Sequence, residues 1–374
     1  MPPEALLLDD IVEEILLRIP PDEPERLVRA ALACKKWRRL VSGPGFRRRF
    51  RDRHRVPPVL GFLHNLRDNR GVRSVRFVPT CAFRPPRADL PGWQAIDSRH
   101  GRVLLHRDKE PRTRQLVYDL AVWDPVTDER RDLPALPQFR TLCSKIEAVL
   151  CAAAGDCHHI GCSGGPFLVV VVGCNPAGAF AYVFSSEAGA WSEATTAEWS
   201  GTFYKGMRPV HAGNALYFVA FLQDIILKYN LGTREMAVID PPPSSNKCIA
   251  LMTDERGGLR AITREFSILY LWSREAGPDG DMVWVQNRVV ELESLMPAGA
   301  SFISFNVVDS ADGGAVVYMG TEHGFFTADL RTGQVRKLEW VRGFDNVVPY
   351  MSFYTPALDM GSTGEGPRPG GSSA

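Results

Sequence analysis

A weak internal repeat constrains the fold of this chain more than any other feature of its sequence. Each unit is a short apolar strand, a tight turn and a second strand, and successive units are spaced by about 42 to about 61 residues. Blades of four antiparallel strands recur near this spacing, and they close into rings because one blade cannot bury both of its faces. With a further unit at 58–83, about six blades fit the chain. The repeat units are 120–130, 182–191, 227–235, 270–276 and 326–335.

The composition also favours a β fold rich in turns. The 374 residues include 33 glycines and 28 prolines, which favour tight turns over long helices. Short runs rich in Val, Phe, Tyr and Leu alternate with these turn residues, as expected for short strands. We therefore predict a large all-β domain over 57–357, best matched by a closed β-propeller of about six blades. The Gly/Pro/Ser-rich tail at 358–374 is predicted to be disordered.

Before Pro57 the apolar pattern changes to that of helices. In the first segment, apolar residues recur at helical spacing from Leu8 to Ile19, and Pro20 ends this helix. A second apolar stripe contains Leu27, and a third short helix carries Trp37. Glycine and proline at 42–45 are read as the end of that third helix. The sequence thus predicts a small all-α domain of three short helices over 1–56.

Charge is unevenly distributed within this helical region. Residues 1–34 hold eight acids and three bases, whereas 35–55 hold ten bases against Asp52 alone. The basic run is read as a solvated helix face that also offsets the acidic first helices. The alternative interpretation is that the basic run directs nuclear import or attracts an acidic partner. The formal net charge of the whole chain is +1, so bulk attraction to nucleic acid or to a membrane is not expected.

The apolar runs are too short for a membrane helix. The longest, 167–172, has the length of one buried strand, whereas a spanning helix needs about 20 residues. The first residues lack the basic start of a signal peptide. We therefore expect an intracellular location, in the cytoplasm, the nucleus or both. In a reducing compartment the eight cysteines are expected to be mostly buried thiols.

The segments 7–20 and 32–41 resemble an F-box, with a Cys-Lys-x-Trp-Arg motif at 34–38. The rest of 5–357 resembles the plant F-box proteins, best known from grasses, that carry a propeller-like associated domain. The resemblance implies that helices one to three bind a Skp-type adaptor, which connects to a cullin scaffold and a ubiquitin-conjugating enzyme. It also implies a non-catalytic substrate-recognition subunit of such a ligase, whose β domain captures a protein target. The stretches that carry the second resemblance are 122–127, 165–170, 185–187, 239–243, 271–275 and 349–354.

A physical argument supports docking of the helical region. Three short helices in about 45 residues are near the lower size limit for a self-sufficient core. Helix one is apolar beyond its main stripe, since Leu6 and Leu17 fall on roughly the opposite side. Such a helix needs a partner or the second domain to cover it. The predicted adaptor-binding residues are Leu7, Leu8, Ile11, Ile15, Leu16, Ile19, Leu27, Leu32, Cys34 and Trp37.

One group of residues has the chemistry of metal ligands. Cys151, Cys157, His158, His159 and Cys162 are close in sequence, but no pair has the two-residue gap common in zinc knuckles. Cys157, one of the two histidines and Cys162 could still converge. We interpret this segment as a loop between two strands whose thiols are incidental, so no metal site and no cofactor are predicted.

No catalytic residue is predicted. The acidic pairs at 9–10 and 13–14 are placed on a solvated helix face near the helix N-terminus, where the dipole favours negative charge. No nucleophile elbow, phosphate-binding loop, zinc-protease motif or dinucleotide-binding fingerprint occurs in the sequence. Two other functions stay open: a propeller enzyme acting on a sugar or small molecule, and a nucleic-acid-binding regulator with a basic arm.

Residues that bind the target are not predicted individually. Most tryptophans of the β region are expected in blade cores, and one or two could line the mouth of the ring, where aromatic anchors carry binding energy. Polar turn residues could lie on the same rim. The tryptophans are Trp93, Trp123, Trp191, Trp199, Trp272, Trp284 and Trp340, and the turn residues are Arg99, His100, His211 and His323.

Overall fold

The computed structural model contains four short helices followed by an all-β region arranged as a six-bladed β-propeller, so the predicted fold class is confirmed. Of the described helices, none is long and apolar enough to cross a membrane. The structure describes residues 3–69, 71–108, 118–136, 144–153, 157, 159, 162–199, 201–203, 208–221, 225–243, 249–254, 256–277, 279–292, 302–309, 315–321, 324–330, 332–338 and 347–355.

The helical region has one helix more than the three expected. The helices are α1 (Pro3–Leu17), α2 (Pro24–Ala33), α3 (Lys35–Ser42) and α4 (Pro44–His54). The segment at 42–45 ends α3, but it also begins α4, because Pro44 occupies the first turn, where its missing N–H costs nothing. Phe46 and Phe50, one turn apart, are buried and give this basic segment an apolar face. They pack in one core with Leu16, Leu17, Leu27, Ala30 and Val41.

The basic face of α4 is paired with acids of α1. Arg49 forms an ion pair of 3.0 Å with Glu13, and Arg53 one of 3.1 Å with Glu14. The expected offset of the acidic helices by the basic run is therefore present in the structure.

Each blade is a sheet of four or five antiparallel strands. Blade 1 contains β1 (Val59–Arg67), β2 (Arg73–Pro79), β3 (Asp89–Pro91) and β26 (Val347–Met351), and blade 2 contains β4 (Gln94–Arg99), β5 (Arg102–Asp108), β6 (Tyr118–Trp123) and β7 (Arg130–Asp132). Blade 3 contains β8 (Ser144–Cys151), β9 (Phe167–Asn175), β10 (Gly178–Ser185), β11 (Ala190–Trp191) and β12 (Thr195–Ala197). Blade 4 contains β13 (Thr202–Phe203), β14 (Val210–Ala212), β15 (Ala215–Phe221), β16 (Ile226–Asn230) and β17 (Met236–Ile239). Blade 5 contains β18 (Ile249–Thr253), β19 (Leu259–Glu265), β20 (Ile268–Ala276) and β21 (Met282–Glu291). Blade 6 contains β22 (Phe302–Asp309), β23 (Ala315–Thr321), β24 (Gly324–Asp329) and β25 (Val335–Leu338).

Blade 1 closes the ring by combining the two ends of the β region. Strand β26 pairs antiparallel with β1, with Gly61 opposite Tyr350 and His64 opposite Val347. This pairing closes the ring, as the predicted closed propeller requires. Gly61 is needed for close packing, since a Cβ atom there would lie 2.3 Å from the ring of Phe77. Closure pairs an edge of β1 that would otherwise be exposed.

Apolar cores lie between consecutive blades all round the ring. Phe77 and Leu105 belong to the core of blades 1 and 2, and Phe184 to that of blades 2 and 3. Further cores join blades 3 to 4, 4 to 5 and 5 to 6. Phe62 of blade 1 packs with Val316 of blade 6. Each blade is therefore stabilised by its neighbours, as expected of repeat architectures.

The sequence repeat corresponds to the turn after the third strand of a blade. In blade 2, the Asp124 carboxylate accepts the backbone N–H of Val126, and the Asp128 N–H donates to the Asp124 carbonyl. Asn230 and Asp329 act in the same way in blades 4 and 6. Short polar side chains that bond the following backbone stabilise such turns. Four residues after each of these three, the backbone has positive φ, at Asp128, Arg234 and Gly333.

Candidate functional site

Three large aliphatic side chains of the helical region are exposed. Ile11 and Ile15, one turn apart on α1, are 56% and 58% exposed, and Leu32 at the end of α2 is 77% exposed. We call these three residues the exposed apolar set. Large aliphatic side chains at such exposure are characteristic of surfaces that a partner covers.

The other predicted docking residues divide between the helical core and its margin. Leu16 and Leu27 are buried in that core, and Ile19 and Trp37 are half-buried against it. Cys34 is exposed, and its Sγ accepts the backbone N–H of Trp37 at 3.4 Å, which caps the start of α3. The side chains of Leu7 and Leu8 lie outside the described residues.

The acidic side of α1 is not the freely solvated face that the sequence suggested. Asp10 is exposed, but the side chain of Glu13 is only 15% exposed because Arg49 of α4 covers it. Glu14 is shared between Arg18 and Arg53, at 3.2 and 3.1 Å. Helix α4 therefore occupies this side of α1 and leaves the side of Ile11 and Ile15 uncovered.

The helical region contacts the propeller through the end of the closing strand. Phe353, which follows β26, packs in the helical core, and its ring meets that of Phe50 edge-on at 6.2 Å. Beside this contact is a cavity of about 50 Å³ between α4 and the propeller. It is lined by Arg51 of α4, by His100 after β4, and by residues of the β8–β9 loop.

The turn that carries His100 is a tight hairpin. His100 and Gly101 join β4 to β5, and both have positive φ, as a two-residue turn of this kind requires. Gly101 also permits close approach, since a Cβ atom there would lie 3.1 Å from Cβ of Ser163. Asp97, at the end of β4, is buried, pairs with Arg99 at 2.9 Å and accepts the Val149 N–H at 3.0 Å.

Burial keeps the imidazoles of His100 and His211 neutral. Burial lowers the pKa of His100 to about 2, with further lowering by His159, Arg99, His211 and Arg102. Burial likewise lowers the pKa of His211 to about 4, with Arg99 and His159 contributing. Arg99, His100 and His211 thus share one region, which the sequence left open. With such low pKa values, neither imidazole carries the second proton of an imidazolium at neutral pH.

Four residues of the Cys/His segment converge, including the three positions whose convergence the sequence left open. The ligand atoms of Cys151, Cys157, His159 and Cys162 all lie within 4.8 Å of one another. His158 lies outside the described residues. Burial raises the pKa of the Cys162 thiol to about 12, and a hydrogen bond with Cys151 adds to this effect. The spacing could not reveal this cluster, because convergence depends on how the loop folds back to Cys151 at the end of β8.

The tryptophans serve mainly the packing of the blades. Trp93, Trp123 and Trp272 are buried, whereas Trp191, Trp199 and Trp284 are half-buried. Indole N–H groups bridge neighbouring blades, since Trp191 donates to the Pro134 carbonyl at 2.9 Å and Trp284 to the Asp240 carbonyl at 2.8 Å. Trp340 and His323 lie outside the described residues. Within the described part of the chain, no tryptophan is an exposed anchor at the mouth of the ring.

Comparison with known proteins identifies the helical region. Residues 5–49 match the sequence model of the F-box domain, which supports an F-box protein. F-box domains generally bind Skp-type adaptors in SCF (Skp–cullin–F-box) complexes, and an F-box followed by a propeller fits a substrate-recognition subunit in general terms. No match was found among curated proteins.

Solved structures similar to the chain are remote. TolB from Acinetobacter baumannii is 14% identical with a TM-score of 0.38, and the match covers 64% of this chain and 52% of TolB, about half its length. The β-propeller domain of the Trilobed protease from Pyrococcus furiosus is 10% identical with a TM-score of 0.38, covering 74% and 80%. A functionally unknown protein from Desulfotomaculum acetoxidans is 10% identical with a TM-score of 0.40, covering 79% and 89%. At this level of similarity, these structures indicate nothing about the function of this chain. The propeller assignment rests on the strand pairing of the chain itself.

Proposed function

We propose that this chain is the substrate-recognition subunit of an SCF-type E3 ubiquitin ligase. Its helical region would dock a Skp-type adaptor, and through it a cullin scaffold, while the propeller holds a protein target for ubiquitination. The chain itself would carry out no chemistry and would contribute proximity between target and ubiquitin-conjugating enzyme. We also propose that the chain belongs to the plant F-box proteins that carry a propeller-like associated domain. Its proposed parts are the F-box domain at 1–56, the substrate-recognition domain at 57–357 and a disordered tail at 358–374.

The observation that carries this proposal is the exposure of Ile11 and Ile15 within the F-box match. Helix α1 uses Leu16 and Leu17 for the helical core and its acidic residues for α4. Ile11 and Ile15 are exposed and belong to neither contact, and burial of two large aliphatic side chains by a partner would favour binding. Residues of this type at the centre of an interface usually dominate its binding energy.

Two observations disfavour the rival functions. A basic arm for nucleic acid depends on available cations, and two of the ten bases at 35–55, Arg49 and Arg53, are paired with acids of α1. A propeller enzyme needs convergent titratable groups near their working pKa values, but His100 and His211 are held neutral by burial.

The test is a pull-down of the full-length chain with a purified Skp-type adaptor. Ile11→Asp and Ile15→Asp should abolish binding, because an unpaired charge buried in an apolar interface costs on the order of several kcal/mol. Val238→Asp is the matched control, since Val238 is 51% exposed but lies on β17 of the propeller. Full binding by a folded Ile15→Asp chain would sink the proposal.

Point variants are preferable to removal of residues 1–56. Such a truncation would uncover Phe353, which packs against Phe50 in the wild type. Affinity purification with mass spectrometry should compare the wild type with Ile15→Asp. Adaptor and cullin should be lost from the variant, and the proteins that remain are the target candidates. A target is expected to bind turn residues on one face of the ring, because loops on a rigid scaffold commonly carry binding function.

A further inference from the structure

The β8–β9 connection is unusually long for a hairpin within a blade. Strand β8 ends at Cys151 and its antiparallel partner β9 begins at Phe167, whereas hairpin loops usually have about two to five residues. Ordering a connection of this length costs conformational entropy, which a bound ion would offset. Cys151, Cys157, His159 and Cys162 bring their ligand atoms within 4.8 Å inside this connection.

The geometry points to a zinc site, and we propose that Cys151, Cys157, His159 and Cys162 bind one Zn²⁺ ion in a closed tetrahedral Cys₃His centre. Three thiolates and an imidazole are a donor set typical of structural zinc. None of the four belongs to the exposed apolar set, so this site is independent of adaptor docking.

One sulfur–sulfur distance matches a tetrahedral centre, and the other ligand atoms are all within 4.8 Å of one another. Zn–S bonds of about 2.3 Å place two sulfur ligands about 3.8 Å apart. Sγ of Cys151 lies 3.8 Å from Sγ of Cys157, and Sγ of Cys162 lies 3.8 Å from Nδ1 of His159. A disulfide would instead require an S–S distance of about 2.05 Å. The four residues are half-buried, which limits exchange of a bound ion with solvent.

The surroundings of the cluster also suit a metal. The backbone N–H of Ala153 donates to Sγ of Cys151 at 3.4 Å, a contact that stabilises a thiolate. The buried guanidinium of Arg102 donates to the carbonyl oxygens of Cys162 and, at 2.6 Å, Gly165. Three thiolates with Zn²⁺ carry a net negative charge, which this nearby cation balances. The ring of His159 stacks on that of His100 at 4.2 Å, which fixes the orientation of the imidazole.

The first measurement is the metal content of the full-length chain, expressed with zinc and purified without chelator. We expect about one zinc per chain by mass spectrometry of the metal, as a closed four-ligand site requires. Replacement by Co²⁺ should give thiolate-to-metal charge-transfer bands and intense visible bands of tetrahedral cobalt. A folded chain with no zinc, with iron in its place, or with a Cys151–Cys157 disulfide would overturn the proposal.

Variants separate metal binding from folding. Cys157→Ser should reduce zinc content at least fivefold, whereas Cys81→Ser should not, since Cys81 is a half-buried thiol outside the cluster. His159→Asn should weaken zinc binding at least tenfold in competition with a chromogenic chelator. Asparagine suits this position because it tolerates the φ of 55° found there. Circular dichroism verifies folding, and unchanged zinc affinity in a folded Cys157→Ser chain would refute the assignment.

Discussion

The hydroxyl of Tyr350 donates a hydrogen bond of 3.2 Å to the carbonyl oxygen of Gly101, although the two residues are 249 positions apart in the sequence. This bond joins the closing strand of blade 1 to the β4–β5 turn of blade 2. Tyr350 is fully buried, and its ring meets that of Phe77 at 6.1 Å. The last strand therefore completes its own blade and also fixes it to the next one.

Truncation should show that the ring depends on this strand. A chain ending at Gly343 lacks β26, which leaves β1 unpaired and removes Val348 and Tyr350 from the core. We expect its melting temperature to fall by more than about 10 °C, because several kcal/mol of apolar burial are lost. A chain ending at Met360 retains β26 and should melt like the wild type. Equal melting of both truncations would count against a closed ring.

Tyr350 should also make the fold sensitive to alkali. Burial raises the pKa of its phenol well above the ordinary value, so the unfolded chain ionises first as the pH rises. The stability from this group is present below about pH 10 and is lost above it. Tyr350→Phe should cost about 1 kcal/mol at pH 7, for the lost hydrogen bond, but lose less stability than the wild type between pH 9 and about pH 11. Urea unfolding at each pH measures this.

The control for that experiment is a neighbour that cannot ionise. Phe77→Leu weakens the same core but should lose as much stability at high pH as the wild type does. An identical pH dependence of Tyr350→Phe and Phe77→Leu would show that Tyr350 is not the responsible group.

Two adjacent residues of α1 should differ sharply when changed to alanine. Ile15 is 58% exposed, so Ile15→Ala should weaken adaptor binding about tenfold or more and leave the melting temperature unchanged. Leu16 is 4% exposed within the helical core, so Leu16→Ala should destabilise the helices by about 2–5 kcal/mol. Calorimetric titration with the adaptor and thermal unfolding measure the two effects. If both variants lost stability equally, Ile15 would be a core residue.

The ion pair between Glu13 and Arg49 should be measurable by a double-mutant cycle. The sequence placed Glu13 on a solvated helix face, but its carboxylate is mostly covered by Arg49. We expect a coupling of about 0.5–1 kcal/mol in the unfolding free energy of the helices, reduced at high salt. The cycle consists of Glu13→Ala, Arg49→Ala and the double variant, followed by helical circular dichroism. A coupling of zero at low salt would contradict this expectation.

The sequence predicted the propeller because the turns that organise each blade depend on local residue types. Asp124, Asn230 and Asp329 recur at similar positions because each bonds its own following backbone. The pairing of the first and last strands in blade 1 could also be expected, since both strands would otherwise have exposed edges.

Other features were not predictable because they depend on contacts remote in sequence. Ile11 and Leu16 look equivalent in the apolar pattern, and the packing of the other helices separates the exposed residue from the buried one. Helix α4 itself was missed, since its apolar face consists of Phe46 and Phe50 within a run of arginines. The spacing of these two phenylalanines was the available signal. The Cys/His cluster required the fold of the β8–β9 loop.

The contact between Phe50 and Phe353 has a consequence for the order of events during synthesis. Phe50 is made about 300 residues before Phe353, which at roughly 5–20 residues per second is a delay of about 15–60 s. For that time the nascent helical core lacks the ring that meets Phe50 edge-on. A chain that ends before Val347 would therefore have both an open ring and a helical core that lacks Phe353. Synthesis of the segment from β26 to Phe353 therefore completes both the ring and the helical core.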